Sequence, residues 1–368
     1  MSLTILGIGT ASPLRQIPQA AAAEFATEFT GAEPGHRRLV AAIYRQTRIR
    51  ARGSVLLEEA GERPFVQTFF PPADETTAGG PTTAARMRRY AAAAGGLAVE
   101  AARVAVAAAG VDPGTVTDLV TCSCTGFANP GVDLELVAAL GLAPTVSRTH
   151  VGFMGCHGAF NALRVADALA AARPGGLALV ASVELCSLHF QYGDRSDLIV
   201  ANSIFADGAA ALVGVGPGHP REGAGEWVLE RQWSTVLADS ADDMGWIIGD
   251  HGFEMNLSAT VPLTIAREIE GLVRRALGDA GLTIADVGSW AVHPGGPRVL
   301  AGVQEALGLP EGALAASADV LAAHGNMSSA TILFILDRLG REGAASPCLA
   351  MAFGPGLTVE LALLARRG

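Results

Sequence analysis

Gly155-Cys156-His157-Gly158-Ala159-Phe160-Asn161-Ala162-Leu163-Arg164-Val165-Ala166-Asp167-Ala168-Leu169 and Gly325-Asn326-Met327-Ser328-Ser329-Ala330-Thr331-Ile332-Leu333-Phe334-Ile335-Leu336-Asp337-Arg338-Leu339 are two versions of one segment. A shift of 170 (156 to 326, 167 to 337) superposes Gly155 on Gly325, Leu163 on Leu333, Asp167 on Asp337 and Leu169 on Leu339 without a gap. The same shift carries the apolar run 177–183 onto 347–353, and upstream Ala109-Gly110 and Ala280-Gly281 lie 171 apart. Each of those pairs ends a helical pattern and precedes an apolar strand, 119–122 or 290–293.

Each half therefore reads as strand, helix, strand, an α/β pattern that predicts crossover connections and largely parallel sheets buried on both faces. Stacking two such halves with helices between the sheets puts the two equivalent helices at the centre. Their starts, near Cys156 and Asn326, then meet at one spot. The halves are 1–220 and 221–368, and the Gly/Pro/His-rich stretch 214–225 is the boundary.

The composition agrees with a large buried core: 368 residues, 50% of them hydrophobic and 17% charged. A net charge of −10 argues against nucleic acid as a partner. Arg45, Arg48, Arg50 and Arg52 form the one local basic cluster, readable either as a solvated helix end and strand or as a site for a small acidic ligand. The five cysteines (Cys122, Cys124, Cys156, Cys186, Cys348) are odd in number and lack scaffold spacing, which points to a reducing, cytoplasmic setting. The Cys122-x-Cys124 pair has no second pair at zinc spacing, so no metal is expected. The first residues, 1–7, read as a short strand rather than a signal peptide. The alanine-rich stretch 90–110 is interrupted by Glu100 and Arg103 and reads as a buried helix, not a membrane span.

Cys156 follows a glycine and opens a run of helix formers, where unpaired N–H groups favour a thiolate. By itself a free cysteine is also a small buried hydrophobe. A nucleophilic thiol needs a base and an oriented polar partner, and the second half offers both. His293 leaves the end of an apolar strand into Pro294-Gly295-Gly296, the place where α/β folds set catalytic groups; a satisfied structural histidine would look the same. Asn326 opens the duplicated helix and is equally readable as its N-cap.

With these residues in place, a family resemblance is explicit. Val151-Gly152-Phe153-Met154-Gly155-Cys156-His157-Gly158-Ala159, Val292-His293-Pro294-Gly295-Gly296 and Gly325-Asn326-Met327-Ser328-Ser329-Ala330-Thr331 resemble the three active-site motifs of type III polyketide synthases, the chalcone-synthase-like branch of the thiolase-fold condensing enzymes. Val183-Glu184-Leu185-Cys186-Ser187-Leu188-His189-Phe190, Phe205-Ala206-Asp207-Gly208-Ala209-Ala210-Ala211 and Phe353-Gly354-Pro355-Gly356 also match, in order, and the overall character is bacterial rather than plant. The resemblance runs from about residue 3 to the end and is strong from Leu119 onward.

The resemblance implies a thiolase-like αβαβα stack and a condensing acyltransferase. It implies that Cys156 holds an acyl group taken from coenzyme A, with His293 sharing the thiol proton. His293 and Asn326 together would stabilise the enolate formed when malonyl-CoA loses carbon dioxide. No metal or redox cofactor is implied, only CoA thioesters as substrates, and the usual state is a homodimer. The methionine that relatives insert into the partner's cavity falls here on Asn129. Gatekeeping positions fall on Phe205 and Met255, and cavity positions on Cys124, Cys186, His189, Trp246 and Ser328. The C-terminal motif adds Gly354, Pro355 and Gly356. His189 and Trp246 replace small residues, which predicts a narrowed or redirected cavity and an acyl starter threaded past them to give an alkylpyrone or alkylresorcinol. The coenzyme-binding basic residues of relatives have no matching register in 37–52.

Three rival readings share some of these features. A β-ketoacyl carrier-protein synthase carries the same three polar residues, but Gly354-Pro355-Gly356 and Met327-Ser328-Ser329 favour the CoA-dependent branch. A papain-like hydrolase also orders Cys, His, Asn, yet the Cys-Gly-Ser-Cys-Trp motif and disulfides of that class are missing. A catalytically dead scaffold would be expected to lose one of the three residues.

Overall fold

The computed structural model describes residues 2–29, 34–60, 63–73 and 79–367. The chain opens with β1 (Leu3–Ala11), the short strand β2 (Gln16–Pro18), and helices α1 (Gln19–Thr27) and α2 (Pro34–Gln46). Short strands β3 (Ala51–Gly53), β4 (Glu58–Ala60) and β5 (Arg63–Val66) lead to α3 (Thr83–Ala109) and β6 (Asp118–Ser123). Then come α4 (Val132–Leu140), β7 (Ser147–Gly152), α5 (Gly158–Ala172), β8 (Leu177–Leu185), α6 (Ser196–Ile204) and β9 (Asp207–Val215). The second half runs β10 (Trp227–Val236), the hairpin β11 (Met244–Gly249) and β12 (Gly252–Leu257), α7 (Val261–Asp279), β13 (Ser289–Val292) and α8 (Pro297–Ala306). It closes with α9 (Ala315–His324), α10 (Thr331–Arg341), β14 (Cys348–Gly354) and β15 (Thr358–Arg366).

The duplication is visible element by element. One-turn 3₁₀ segments at Gly155–His157 and Ser328–Ala330 precede the equivalent helices α5 and α10. Another matched pair, Pro113–Thr115 and Ile284–Asp286, precedes β6 and β13. Gly155 and Gly325, superposed by the shift of 170, both have φ +76°, a backbone region that L side chains rarely enter. That shared conformation accounts for the glycine in both copies.

Nine of the strands form one hydrogen-bonded sheet in the order β13-β14-β15-β10-β1-β9-β8-β6-β7, and β2-β3, β4-β5 and β11-β12 pair separately. The halves join where β1 pairs antiparallel with β10 (Leu3 with Leu229, Ile5 with Trp227). Only β6–β7, β6–β8 and β13–β14 are parallel, which corrects the expectation of largely parallel sheets. Helical crossovers enforce parallel pairing within the βαβ units, whereas β15 returns from β14 through the tight turn 355–357 and must run antiparallel.

Three separate cores give the five layers. Along β8, Leu177, Leu179, Ala181 and Val183 face α3 and α4, while Ala178 and Val180 face α5 and α10. Along β14, Leu349, Met351 and Phe353 join α7 and α8 in the third core, and Cys348, Ala350 and Ala352 point to the middle. Strand period 2 thus sends large side chains outward and small ones toward the central helices. Those helices are apolar on most sides because they are enclosed on most sides.

Helix α3 is the one helix among the described residues long and apolar enough to cross a membrane, and half of its apolar window is buried. It lies against β1, β8 and β9, capped at its start by the Thr82 hydroxyl and at its end by left-handed Gly110. Contact with β1 is intimate: a β-carbon on Gly9 would lie 2.3 Å from the Ala101 carbonyl oxygen. Gly96, on the open face of the same helix, has nothing within 4 Å. Gly9→Ala is therefore expected to lower unfolding stability by about 1–3 kcal/mol, and Gly96→Ala to raise it by about 0.5–1 kcal/mol, both read from urea midpoints.

Candidate active site

The two 3₁₀ turns pack against each other at the centre of the fold and bring Cys156 and the Asn326 loop together. Asn326 is anchored on both sides. Its N–H donates to the Ile204 carbonyl (2.8 Å), its carbonyl accepts from Ala206 N (2.8 Å), and its Oδ1 accepts from Ser328 N (2.8 Å). Asn326 is not the helix N-cap, a place taken by Met327 for the 3₁₀ turn and Ala330 for α10; its oxygen is committed to the turn and its side chain also meets the Cys156 thiol. Burial pushes the Cys156 thiol up to about 12, against hydrogen bonds from Ser328 and Asn326.

His293 follows β13 and is held by its backbone N–H on the Met351 carbonyl (2.8 Å). It is 1% exposed, and neither ring nitrogen has a hydrogen-bond partner among the described residues. Burial, reinforced by the neighbouring His157, holds its pKa down to about 3. An imidazole buried with both nitrogens idle is costly and rare unless something transient uses it. At rest burial favours a neutral thiol and a neutral imidazole. Moving the thiol proton to His293 leaves the net charge of the dry site unchanged.

Under this site lies Glu184, an acid within an apolar strand. It is fully buried, and its carboxylate accepts from Cys124 N (3.0 Å), the Thr125 hydroxyl (2.7 Å) and the Ser329 hydroxyl. Ser329 also meets Ser182 (2.7 Å), and the Cys124 thiol meets Ser328 (3.1 Å). Burial raises the Glu184 pKa against these hydrogen bonds. A second buried acid, Asp207, accepts from Val55 N (2.8 Å), Ser187 N (2.7 Å) and the Ser187 hydroxyl (2.6 Å), and burial lifts it to about 6. The sequence reading assigned neither a role; a lone carboxylate in an apolar run is the signal that marks both.

A cavity of about 150 Å³ ends on Cys156. Of the expected substrate residues, Cys124, Cys186, His189, Phe205, Trp246, Met255, Ser328 and Pro355 line it. Gly354 and Gly356 do not: Gly354 packs on the His157 ring, and the Gly356 carbonyl accepts from Ser240 (3.2 Å). Trp246 donates to the Cys124 carbonyl (2.8 Å) and pairs with Met255 across the β11–β12 hairpin. His189 Nε2 donates to Thr125 O (2.7 Å), its Nδ1 accepts from Phe253 N (2.9 Å), and its ring stacks on Phe253 at 4.2 Å. His189 is therefore a neutral wall, its pKa pressed by burial to about 3. Apolar side chains line much of the cavity, among them Ile17, Ala22, Phe25, Phe29, Leu57 and Leu198 from β2, α1, α6 and the adjoining loops, with Tyr44, Arg52, Gln67 and Asn202 as polar members. The expected arginine cluster is split: Arg45, Arg48 and Arg50 are exposed, while Arg52 turns inward because the carbonyls at the end of α6 are there to receive it.

Comparison with known proteins decides the family. The model of the N-terminal domain of chalcone and stilbene synthases matches residues 2–217, and that of the C-terminal domain matches 229–366. The chain belongs to the chalcone and stilbene synthase family. It is a type III polyketide synthase, a condensing acyltransferase of thiolase-like fold. It is 34% identical over 362 residues to the α-pyrone synthesis polyketide synthase-like Pks18 of Mycobacterium tuberculosis, covering 97% of this chain and 89% of that one. It is 38% identical over 272 residues to the 1,3,6,8-tetrahydroxynaphthalene synthase of Streptomyces peucetius subsp. caesius, covering 73% and 72%. The crystal structure of the C-terminal type III polyketide synthase domain of Steely1 from Dictyostelium aligns over 100% of this chain and 99% of that one, with TM-score 0.90 and 27% identity.

The histidines set the acid stability of this synthase. His189 and His293 have folded pKa values near 3, below the ordinary 6.5, so the unfolded chain binds the extra protons. Their contribution is complete above pH 6.5 and is lost as the pH falls toward 3. Buried Asp207, lifted to about 6, works in the opposite sense below that pH, so the histidine part is read as a difference: on acidification His189→Gln is expected to lose less stability than the parent chain, compared by urea midpoints.

Proposed function

We propose that this synthase extends an acyl group on Cys156 with malonyl-CoA, by decarboxylative condensation, and releases a cyclised product of the pyrone or resorcinol type. Proton transfer from the Cys156 thiol to His293 gives a thiolate that attacks the acyl-CoA carbonyl and expels the coenzyme A thiolate. The acyl group then sits on sulfur at the head of the cavity. His293 and the Asn326 amide nitrogen donate to the thioester oxygen of malonyl-CoA as carbon dioxide leaves. Each such donor is worth roughly 3 kcal/mol toward the enolate. The enolate carbon attacks the Cys156 thioester, the C–S bond breaks, and the lengthened chain returns to sulfur for another round. No cofactor is needed for these steps, since the thioesters bring the activation with them.

One observation carries the choice of starter: the mainly apolar lining of the cavity, which includes Ile17, Phe25, Phe29, Leu57 and Leu198. Such a lining favours an aliphatic tail over a hydroxylated aromatic ring. The name of the mycobacterial relative, which specifies α-pyrone synthesis, favours lactone closure over an aldol ring. Incubation with malonyl-CoA and acyl-CoAs of graded length is expected to give alkylpyrones or alkylresorcinols, identified by mass spectrometry. A preference for aromatic starters overturns this reading. Cys156→Ala should abolish the acyl adduct on the intact protein. Trp246→Gly removes the ring that closes the cavity beside His189, and is expected to shift products toward more extensions. We also assign the chain to a homodimer across the β7 edge of the sheet, near the exposed Phe127 and Met154, a state that light scattering reads directly.

A further inference from the structure

Arg52 is a buried cation that none of the steps above uses. Its Nη1 donates to the carbonyls of Asn202 (2.8 Å) and Phe205 (2.6 Å), and its guanidinium lies 5.5 Å from the Tyr44 ring centre. Tyr44 adds its hydroxyl to the same Asn202 carbonyl (3.3 Å), and Gln19 donates to the Ser203 carbonyl (2.7 Å). These oxygens belong to the last turn of α6 and the residue after it, where carbonyls lack intrahelical partners. No salt bridge to Arg52 is found among the described residues, and Asp207 acts on it only through space. The negative end of α6 supplies the compensating charge instead.

The strand that leaves α6 is the one that fixes Asn326. Phe205 and Asn326 form a parallel bridge, with Asn326 N on Ile204 O and Ala206 N on Asn326 O. On its other side the arginine stem closes on the same loop: a β-carbon on Gly325 would sit 3.0 Å from Arg52 Cγ and 3.1 Å from Cδ. Arg52 is thus wedged between the carbonyl of the gate residue and the glycine that precedes the amide. We infer that Arg52 is a positioning residue that holds the Phe205 gate and the Asn326 amide in a single register.

This inference rests on the reading of Asn326 as an enolate-stabilising donor. An arginine reaches two carbonyls and an aromatic face from one rigid plane; a lysine makes a point contact only. Displacing the segment moves the Asn326 donor directly, through its backbone bonds to Ile204 and Ala206, and Cys156 only through its side-chain contact with Asn326. Starter loading and malonyl-CoA decarboxylation should therefore separate. Arg52 and Phe205 both line the cavity, so in Arg52→Lys acyl loading of Cys156, followed by intact-protein mass spectrometry, is expected to fall, but by no more than about twofold. Malonyl-CoA decarboxylation and condensation kcat should fall roughly tenfold with little change in KM, and about a hundredfold in Arg52→Met. Thermal melting runs alongside, and Arg52→Lys decides the matter if Arg52→Met does not fold. A folded Arg52→Lys with undiminished decarboxylation overturns the inference. So does a parallel loss of loading and decarboxylation that tracks the melting temperature, which would mark Arg52 as a stability residue. If the wild-type protein decarboxylates malonyl-CoA but Cys156 takes up no acyl group, the reading of Cys156 fails, and the decarboxylation comparison still tests Arg52.

Discussion

A carboxylate with no counter-cation among the described residues lies at the seam of the two halves, and the geometry around Cys156 depends on it. Glu184 cannot reach water and is given no arginine or lysine; hydroxyl, thiol and backbone donors take their place. One of those donors, Ser329, comes from the opposite half. Removing it would leave a buried acceptor unsatisfied, a penalty of about 1–3 kcal/mol or more for a charged group. That penalty keeps the turn after Asn326 pressed against the strand that precedes Cys186. The neighbouring hydrogen bond from Cys124 to Ser328 draws the cavity wall into the same network. Register between the halves is thus specified by polar groups, while the apolar layers around them supply the bulk of the stabilisation.

Much of this was legible in the linear chain, and the reason is periodicity. A duplicated segment with matched Gly, Leu and Asp positions has few folded solutions. The shift of 170 by itself superposes the segments that carry Cys156 and Asn326. His293 was legible because a strand ending in Pro-Gly-Gly leaves its last side chain at a loop. Strand direction was not: the same alternation of apolar and polar residues suits parallel and antiparallel neighbours, and the short turn 355–357 decides β15. Nor was the fate of Arg52 legible. Four arginines within eight residues read as a solvated face or as a site for an acidic ligand, and the carbonyls at the end of α6, about 150 residues away, pull one of them inside.

The aromatic wall shows how a cavity is redirected without loss of order. His189 could have been a polar group at liberty in the substrate space. Both of its nitrogens are instead committed, one to Thr125 and one to Phe253, and Trp246 commits its own N–H to Cys124. The wall is therefore rigid as well as bulky. Both rings line the cavity, together with residues from α1 and α6.

The neutral state of the buried thiol has a consequence for the durability of the enzyme. Oxidants attack thiolates far faster than thiols, and each step from sulfenic to sulfonic acid removes the nucleophile from service. On the proposed mechanism the thiol gives up its proton only during turnover, and burial, which raises its pKa, keeps it out of the vulnerable form the rest of the time. The burial that makes Cys156 reluctant to ionise therefore also protects it between turnovers, with no second thiol or repair partner needed for the purpose.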